Sequence, residues 1–201
     1  MSIKNKKIIG LTGMSGAGKS TACAVFDGMG FDIIDCDGIC RIIVEKDKPC
    51  LMEIVKSFGE SVLTESGELN RKIMAEMIFG SEEKRLMLNG IMYPYVSYVV
   101  IKSILNSKKD FAVLDAPTLF ESGIDDICDD IVSVVADKKT VINRIVKRDG
   151  ISEADAEKRL RSQHNKDFYI SKSSYAAENN GSPEDFYKSL KEIAVRIKGD
   201  K

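Results

Sequence analysis

Gly13-Met14-Ser15-Gly16-Ala17-Gly18-Lys19-Ser20 is the stretch on which the reading of this chain turns. It fits the pattern G-x-x-x-x-G-K-[ST] of a phosphate-binding loop. Glycines at 13, 16 and 18 carry no Cβ, so the backbone can curl around an anion with its N–H groups pointing inward. Lys19 adds a mobile charge for the outer phosphates, the Ser20 hydroxyl is placed to help hold Mg²⁺, and Thr21 extends the polar turn. Immediately before the loop, Lys7-Ile-Ile-Gly-Leu-Thr12 is a short apolar run of the kind a buried parallel strand needs. After it, Thr21 onward predicts a helix that ends at Gly28 or Gly30, with its N-terminal dipole aimed at the phosphates.

Composition narrows the class. The chain has 201 residues, 43% hydrophobic and 30% charged, which suits one sizeable α/β core and excludes a disordered segment. Thirty Lys+Arg against 31 Asp+Glu leave a net charge of −1, so no global basic field points to nucleic acid. The N-terminal apolar run stops at Leu11, too soon for a signal peptide, and no stretch approaches the ~18 apolar residues of a membrane span. The cysteines at 23, 36, 40, 50 and 128 contain no C-x-x-C pair and His164 is the one histidine, which argues against a Cys/His zinc site and for a reducing cytoplasm.

Outward from the loop, Phe31–Asp37 predicts a second strand that ends in two carboxylates, Asp35 and Asp37, on the edge where parallel sheets bind ligands. Alternation sets the two on one side; one can cap the next helix while the other does chemistry. From 48 to 109 the apolar spacing is helical, over Leu51–Phe58, Leu69–Phe79 and Glu82–Leu105, with breaks at Gly59, Gly67, Gly80 and Pro94. Arg71 and Lys72 stand at a helix start, where the dipole disfavours cations unless an anion is near. Phe111–Asp115 is a strand closing on an acid, the arrangement that positions Mg²⁺ or its water shell, and Ala116–Glu121 turns on the same edge. Ile131–Val135 reads as a further buried strand. Lys138–Arg148 and Gly150–Gln163 read as two short helices bearing Arg144, Arg148, Arg159 and Arg161, the second capped by Ser152; guanidiniums there can close over a phosphate. Ser174–Asn180 reads as a last strand and Pro183–Ile197 as a closing amphipathic helix. His164 reads as a packing or surface residue, and Tyr93, Tyr95 and Tyr98 as a core-packing stripe.

With these residues in place the chain resembles the dephospho-CoA kinases, small P-loop kinases of the nucleoside-monophosphate-kinase type. The resemblance rests on Gly10-Leu-Thr-Gly13 entering the loop, Asp35-Cys-Asp37 with Arg41, Gly67-x-Leu69-x-Arg71-Lys72, and Ile78-Phe79. It continues through Asp115-x-Pro117-x-Leu119-Phe120-Glu121, Arg144 with Arg148-Asp149, Gln163 and Asn179-Asn180-Gly181. It implies an α/β P-loop NTPase fold: a five-stranded parallel sheet flanked by helices. The domain would be a single one over 1–201, with its core at about 1–47 and 110–201, a helical CoA-side subdomain at about 48–109 and a lid at about 144–166. The implied reaction is transfer of the ATP γ-phosphoryl to the ribose 3′-hydroxyl of dephospho-CoA, the last step of coenzyme A biosynthesis. It would use ATP and Mg²⁺, with no nucleic acid or membrane partner, in a cytoplasmic monomer or small homo-oligomer.

Residue by residue, the resemblance gives Asp37, Lys19 and Arg148 the catalytic roles, Asp37 as the base. ATP would be held by Gly13, Ser15, Gly16, Ala17, Gly18, Lys19, Ser20, Thr21, Arg144, Arg148 and Asn180. The acceptor would meet Thr12, Asp37, Arg41, Arg71, Tyr93, Leu119 and Glu121, and Ser20 would hold Mg²⁺ with Asp115 behind it. Several positions depart from the family pattern: Met14 replaces a glycine, Tyr93 a histidine, Thr118 a leucine, Val141 a glutamine and Tyr169 a basic residue. Tyr93, Thr118 and Tyr169 motivate a second reading, the same chemistry on another small hydroxyl or phosphate acceptor. A third, a non-catalytic nucleotide switch, fits poorly, because Asn165-Lys166-Asp167-Phe168 places phenylalanine where a guanine-reading acid should stand.

Overall fold

The structure, a computed structural model, describes residues 6–200; residues 1–5 and 201, which the single-domain reading over 1–201 includes and where the signal-peptide reading begins, lie outside the described residues. β1 (Lys7–Gly13) runs into the loop and α1 (Lys19–Gly28) starts on its last two residues. β2 (Asp32–Asp35) is followed by α2 (Cys36–Ile42), α3 (Pro49–Phe58), α4 (Arg71–Ile78) and α5 (Glu82–Asn106). Then come β3 (Phe111–Asp115), β4 (Asp130–Val135), α6 (Lys138–Asp149), α7 (Glu153–Arg161), α8 (Lys166–Lys172), β5 (Tyr175–Glu178) and α9 (Pro183–Gly199).

The strands form one five-stranded sheet in the order β2-β3-β1-β4-β5, with parallel ladders joining β1 to β3, β1 to β4 and β4 to β5. β1 is central, which is why both of its faces are covered: Ile9 and Leu11 are fully buried on one face, and Ile8 and Thr12 are buried on the other. Because β3 lies on one side of β1 and β4 on the other, the crevice of the sheet opens at the carboxyl end of β1, where the loop begins. α1 and α9 pack together, and Phe26, Phe31, Tyr169, Leu190 and Ile197 fill the core with the sheet strands. Burial also pushes the Tyr169 hydroxyl up to about 12.

The chain divides into two compact units, one taking the chain up to Ile34 and from Ser107 on, the other Asp35–Asn106. The second unit therefore begins at Asp35 rather than near 48, because α2 packs on α5 along with α3 and α4. α5 buries Leu88, Val96, Val100 and Ile104 along one stripe. The expected break at Pro94 does not occur. Proline removes one N–H and crowds the carbonyl four residues back, which here belongs to Gly90, and the packing along α5 carries the helix through an exposed position.

Other expectations also shift. β2 stops at Asp35, and Asp37 lies in the first turn of α2, so strand alternation does not relate the two acids. The tyrosine stripe is not core: Tyr98 is exposed, and half-buried Tyr95 donates to Glu53 at 2.7 Å. α8 went unread in the sequence; its signal was Asn165, whose side chain accepts from Phe168 N and caps it.

Gly13 is the tightest point of the fold. Its φ is 145°, and a Cβ there would lie 2.1 Å from the carbonyl oxygen of Val134 on β4. Gly13→Ala is expected to cost more than about 2 kcal/mol in urea unfolding, through strained backbone and a forced shift of β4.

Candidate active site

The loop is built by its neighbours as much as by its glycines. Met14 N–H donates to Val134 O at 3.1 Å and Ala17 N–H to Met14 O at 3.0 Å, which folds the loop back on itself. The Met14 side chain is buried in the core and its φ is not positive, so this position does not need the glycine it departs from. Asn179, just past β5, is almost fully buried: its Nδ2 donates to Ala17 O at 2.7 Å, and its Oδ1 accepts from Arg144 at 3.3 Å. A Cβ on Gly18 would collide with that amide at 2.7 Å. Asn179 thus braces loop and arginine together.

Above the loop lies a cavity of about 470 Å³. Gly13, Ser15, Gly16, Gly18, Lys19 and Ser20 line it, with Asp115 and Pro117 from the end of β3, Arg144 and Arg148 from α6, and Gln163. The first N–H groups of α1 have no carbonyl within the helix to donate to, which gives this cavity an anion-binding floor. Lys19 forms an ion pair with Asp115. Burial first, and then the charge and hydrogen bond of Asp115, push the Cys23 thiol up to about 12, so Asp115 gathers Lys19 on one side and a thiol donor on the other.

Arg148 grips Asp149 with both Nε at 2.6 Å and Nη2 at 2.9 Å, and Arg159 pairs with the same carboxylate. The Arg148 hydrogen bond, followed by that of Arg159, pulls Asp149 down to about 2. One Nη of Arg144 is buried with no hydrogen-bond partner. The Ser15 N–H donates to the Gln163 side-chain oxygen at 3.1 Å.

Not every expected residue reaches the cavity. Ala17 is fully buried with its N–H and carbonyl both used, and Thr21 lies within α1. Asn180 is exposed and accepts from Asp137 N at 2.8 Å; it is Asn179 that turns inward. Two adjacent asparagines look alike in sequence, and the register of β5 chooses between them. Thr12 is buried, donating to Pro117 O at 3.2 Å, and Leu119 is buried against Gly10, so their side chains hold β1 to the turn after β3. Glu121 stands 3.6 Å from His164, whose ring stacks on Phe168 at 3.6 Å. Tyr169 belongs to the core and Val141 is buried at the base of α6, so neither departure alters an accessible surface. Gln163, Asn179, Asp149 and Cys23 were missing from the expected site; the first three fall inside the quoted motifs, but without a role that spacing could assign.

The second unit carries the other expected residues. The Asp35 side chain accepts from Gly38 N at 2.9 Å and caps α2, which leaves the Asp37 carboxylate out of the cap. Arg41 follows Asp37 one helical turn on, and Arg71 opens α4. Burial raises the Cys40 thiol, with Asp37 adding to the rise and Arg71 opposing it, so both charges stand near Cys40. Tyr93 is half-buried on α5.

Three comparisons bear on what this arrangement is. The family model described as dephospho-CoA kinase matches residues 7–185. A dephospho-CoA kinase of Fusobacterium nucleatum is 39% identical over 191 residues, covering 94% of this chain and 98% of that protein; one of Arabidopsis thaliana is 34% identical, covering 96% and 84%. A solved dephospho-CoA kinase from Campylobacter jejuni superposes with a TM-score of 0.70 at 25% identity over 98% of this chain and all of its own.

Because Asp149 is held low, the bond to Arg148 is present above the ordinary carboxylate range and lost only as pH falls toward 2. NMR titration of its carboxyl carbon is expected to find Asp149 still ionised at pH 3.8, where an ordinary aspartate is half protonated, and to find the value raised in Arg148→Ala.

Proposed function

This chain belongs to the dephospho-CoA kinase family, and from that premise we propose how its residues carry out phosphorylation of the ribose 3′-hydroxyl of dephospho-CoA, the last step of coenzyme A biosynthesis. It is a phosphotransferase that uses a nucleotide bound at a P-loop. ATP is the donor: the loop amides and the start of α1 take its phosphates, Lys19 moves from Asp115 to the outer phosphates, and Arg148 meets the charge of the transferring group. The observation that carries the reading is the cavity over Ser15–Ser20. It gathers one lysine and two arginines around a helix start, and one buried guanidinium nitrogen beside it lacks a partner. Such an excess of donors fits a polyanion.

Asp37 accepts the proton of the 3′-hydroxyl as its oxygen bonds to the γ-phosphorus; the bond from that phosphorus to the bridging oxygen breaks and ADP leaves. Arg41 and Arg71 bind the acceptor's own phosphates, and Tyr93 and Glu121 border it. The Ser20 hydroxyl and the Asp115 carboxylate are hard oxygen donors that suit Mg²⁺, which when bound would neutralise charge across the phosphates. The five cysteines are free thiols, in keeping with a reducing cytoplasm.

A coupled ADP-release assay with ATP, Mg²⁺ and dephospho-CoA, with the product identified by mass, tests the reading. Asp37→Ala is expected to lower kcat by about 10²- to 10⁴-fold with little change in ATP affinity. Unchanged kcat removes Asp37 from the chemistry, and ATP binding without product removes the acceptor assignment.

A further inference from the structure

One side-chain amide joins the backbone of the loop to a cation of the cavity. Asn179 is 9% exposed; its Nδ2 donates to Ala17 O at 2.7 Å, and its Oδ1 accepts from an Nη of Arg144 at 3.3 Å. The orientation of the amide is forced, because a carbonyl only accepts and a guanidinium only donates. An aspartate there would set oxygen against the Ala17 carbonyl, and a leucine of similar size would serve neither group. Gly18 admits the amide this closely, and Gly16 does the same for α6: a Cβ on Gly16 would lie 3.0 Å from the Ile145 side chain and 3.1 Å from Val141 O. The neighbouring asparagine fastens the other end of the same arm. Asn180 Oδ1 accepts at 2.8 Å from the N–H of Asp137, the N-cap of α6, and Arg144 follows about two turns on, on the same side of the helix. Helix side chains lean toward the N-terminus, which brings the guanidinium back toward the asparagines.

The two partners of the amide depend on it to different degrees. The loop has further fastenings, Met14 N–H on Val134 O and Ala17 N–H on Met14 O. Among the described residues, the Arg144 guanidinium has Asn179 as its hydrogen-bond partner, and its Nη1 is buried without one. A cation held by a single neutral oxygen is still short of negative charge. We propose that Asn179 is a positioning residue for the phosphoryl donor: it aims the Arg144 guanidinium at the phosphates that the loop amides bind, and its effect on nucleotide binding runs through Arg144. A free arginine side chain has many rotamers to lose when it meets a phosphate, and a bond to the brace of the loop itself removes part of that cost. The same bond keeps backbone donors and guanidinium in one register. The inference rests on the reading that this cavity takes the phosphates of ATP.

A double-mutant cycle separates this role from a purely structural one. The native full chain, Asn179→Ala, Arg144→Ala and the double variant are each titrated with MgATP by calorimetry. Asn179→Ala is expected to weaken binding roughly five- to fiftyfold while Arg144 is present and no more than about twofold in the Arg144→Ala background, the non-additivity of two groups in direct contact. Asn179→Ser, which keeps a hydroxyl near Ala17 O, goes through the same cycle with the same expected pattern if Asn179→Ala does not fold. A loss in the Arg144→Ala background as large as in the native one makes Asn179 a brace of the loop alone and overturns the proposal, as does unchanged binding by Asn179→Ala; the ATP reading then stands. Failure of the native protein to bind MgATP overturns both.

Discussion

Everything in the first unit depends on how closely the end of β1 approaches β4. With a would-be Cβ of Gly13 only 2.1 Å from Val134 O, the strands meet more tightly than any side chain allows, and the next N–H, of Met14, is spent on the same carbonyl. That contact turns the chain sharply out of the sheet. The loop then needs a floor and a wall. The Met14 side chain supplies the floor by burial, and Asn179 supplies the wall by donating to Ala17 O. A hydrogen bond of this kind adds about 1 kcal/mol net, yet leaving its buried partners unmet costs more, which makes such a brace hard to replace.

Of the three cations that line the resulting cavity, Lys19 and Arg148 have carboxylate partners, while Arg144 donates to the neutral amide of Asn179. Coulomb attraction in a partly desolvated site is strong enough that a lone lysine or arginine would shift its geometry or draw in a counter-charge. Here Asp115 takes Lys19 and Asp149 takes both Arg148 and Arg159, so the Arg148 guanidinium is oriented by a bidentate partner. Preorganisation of this sort lowers the reorganisation left for the reacting complex.

The second unit solves a smaller problem of the same type. Asp35 and Asp37 compete for the start of α2, and the side chain that sits at the N-cap position wins it. The other carboxylate is left within one turn of Arg41 and near the Cys40 thiol, with Arg71 arriving from α4. Division of labour between two aspartates one residue apart follows from where β2 ends.

The sequence alone determined the phosphate loop, the strand before it and the helix after it, the acid that closes β3 and the helix capped by Ser152, because each is a local pattern: a glycine spacing, an apolar run, a cap with its partner three residues on. It also carried the family, through motifs spread over the chain in fixed order. Only the tertiary structure decided which of Asn179 and Asn180 faces the loop, that Leu119, Thr12 and Tyr169 are buried rather than open to a ligand, that α5 runs through Pro94, and that Gln163 reaches Ser15. These depend on strand register and on which helices pack together. Residues 148 positions apart in the chain, like Ser15 and Gln163, meet because several separate packing choices agree, and no local pattern records that agreement.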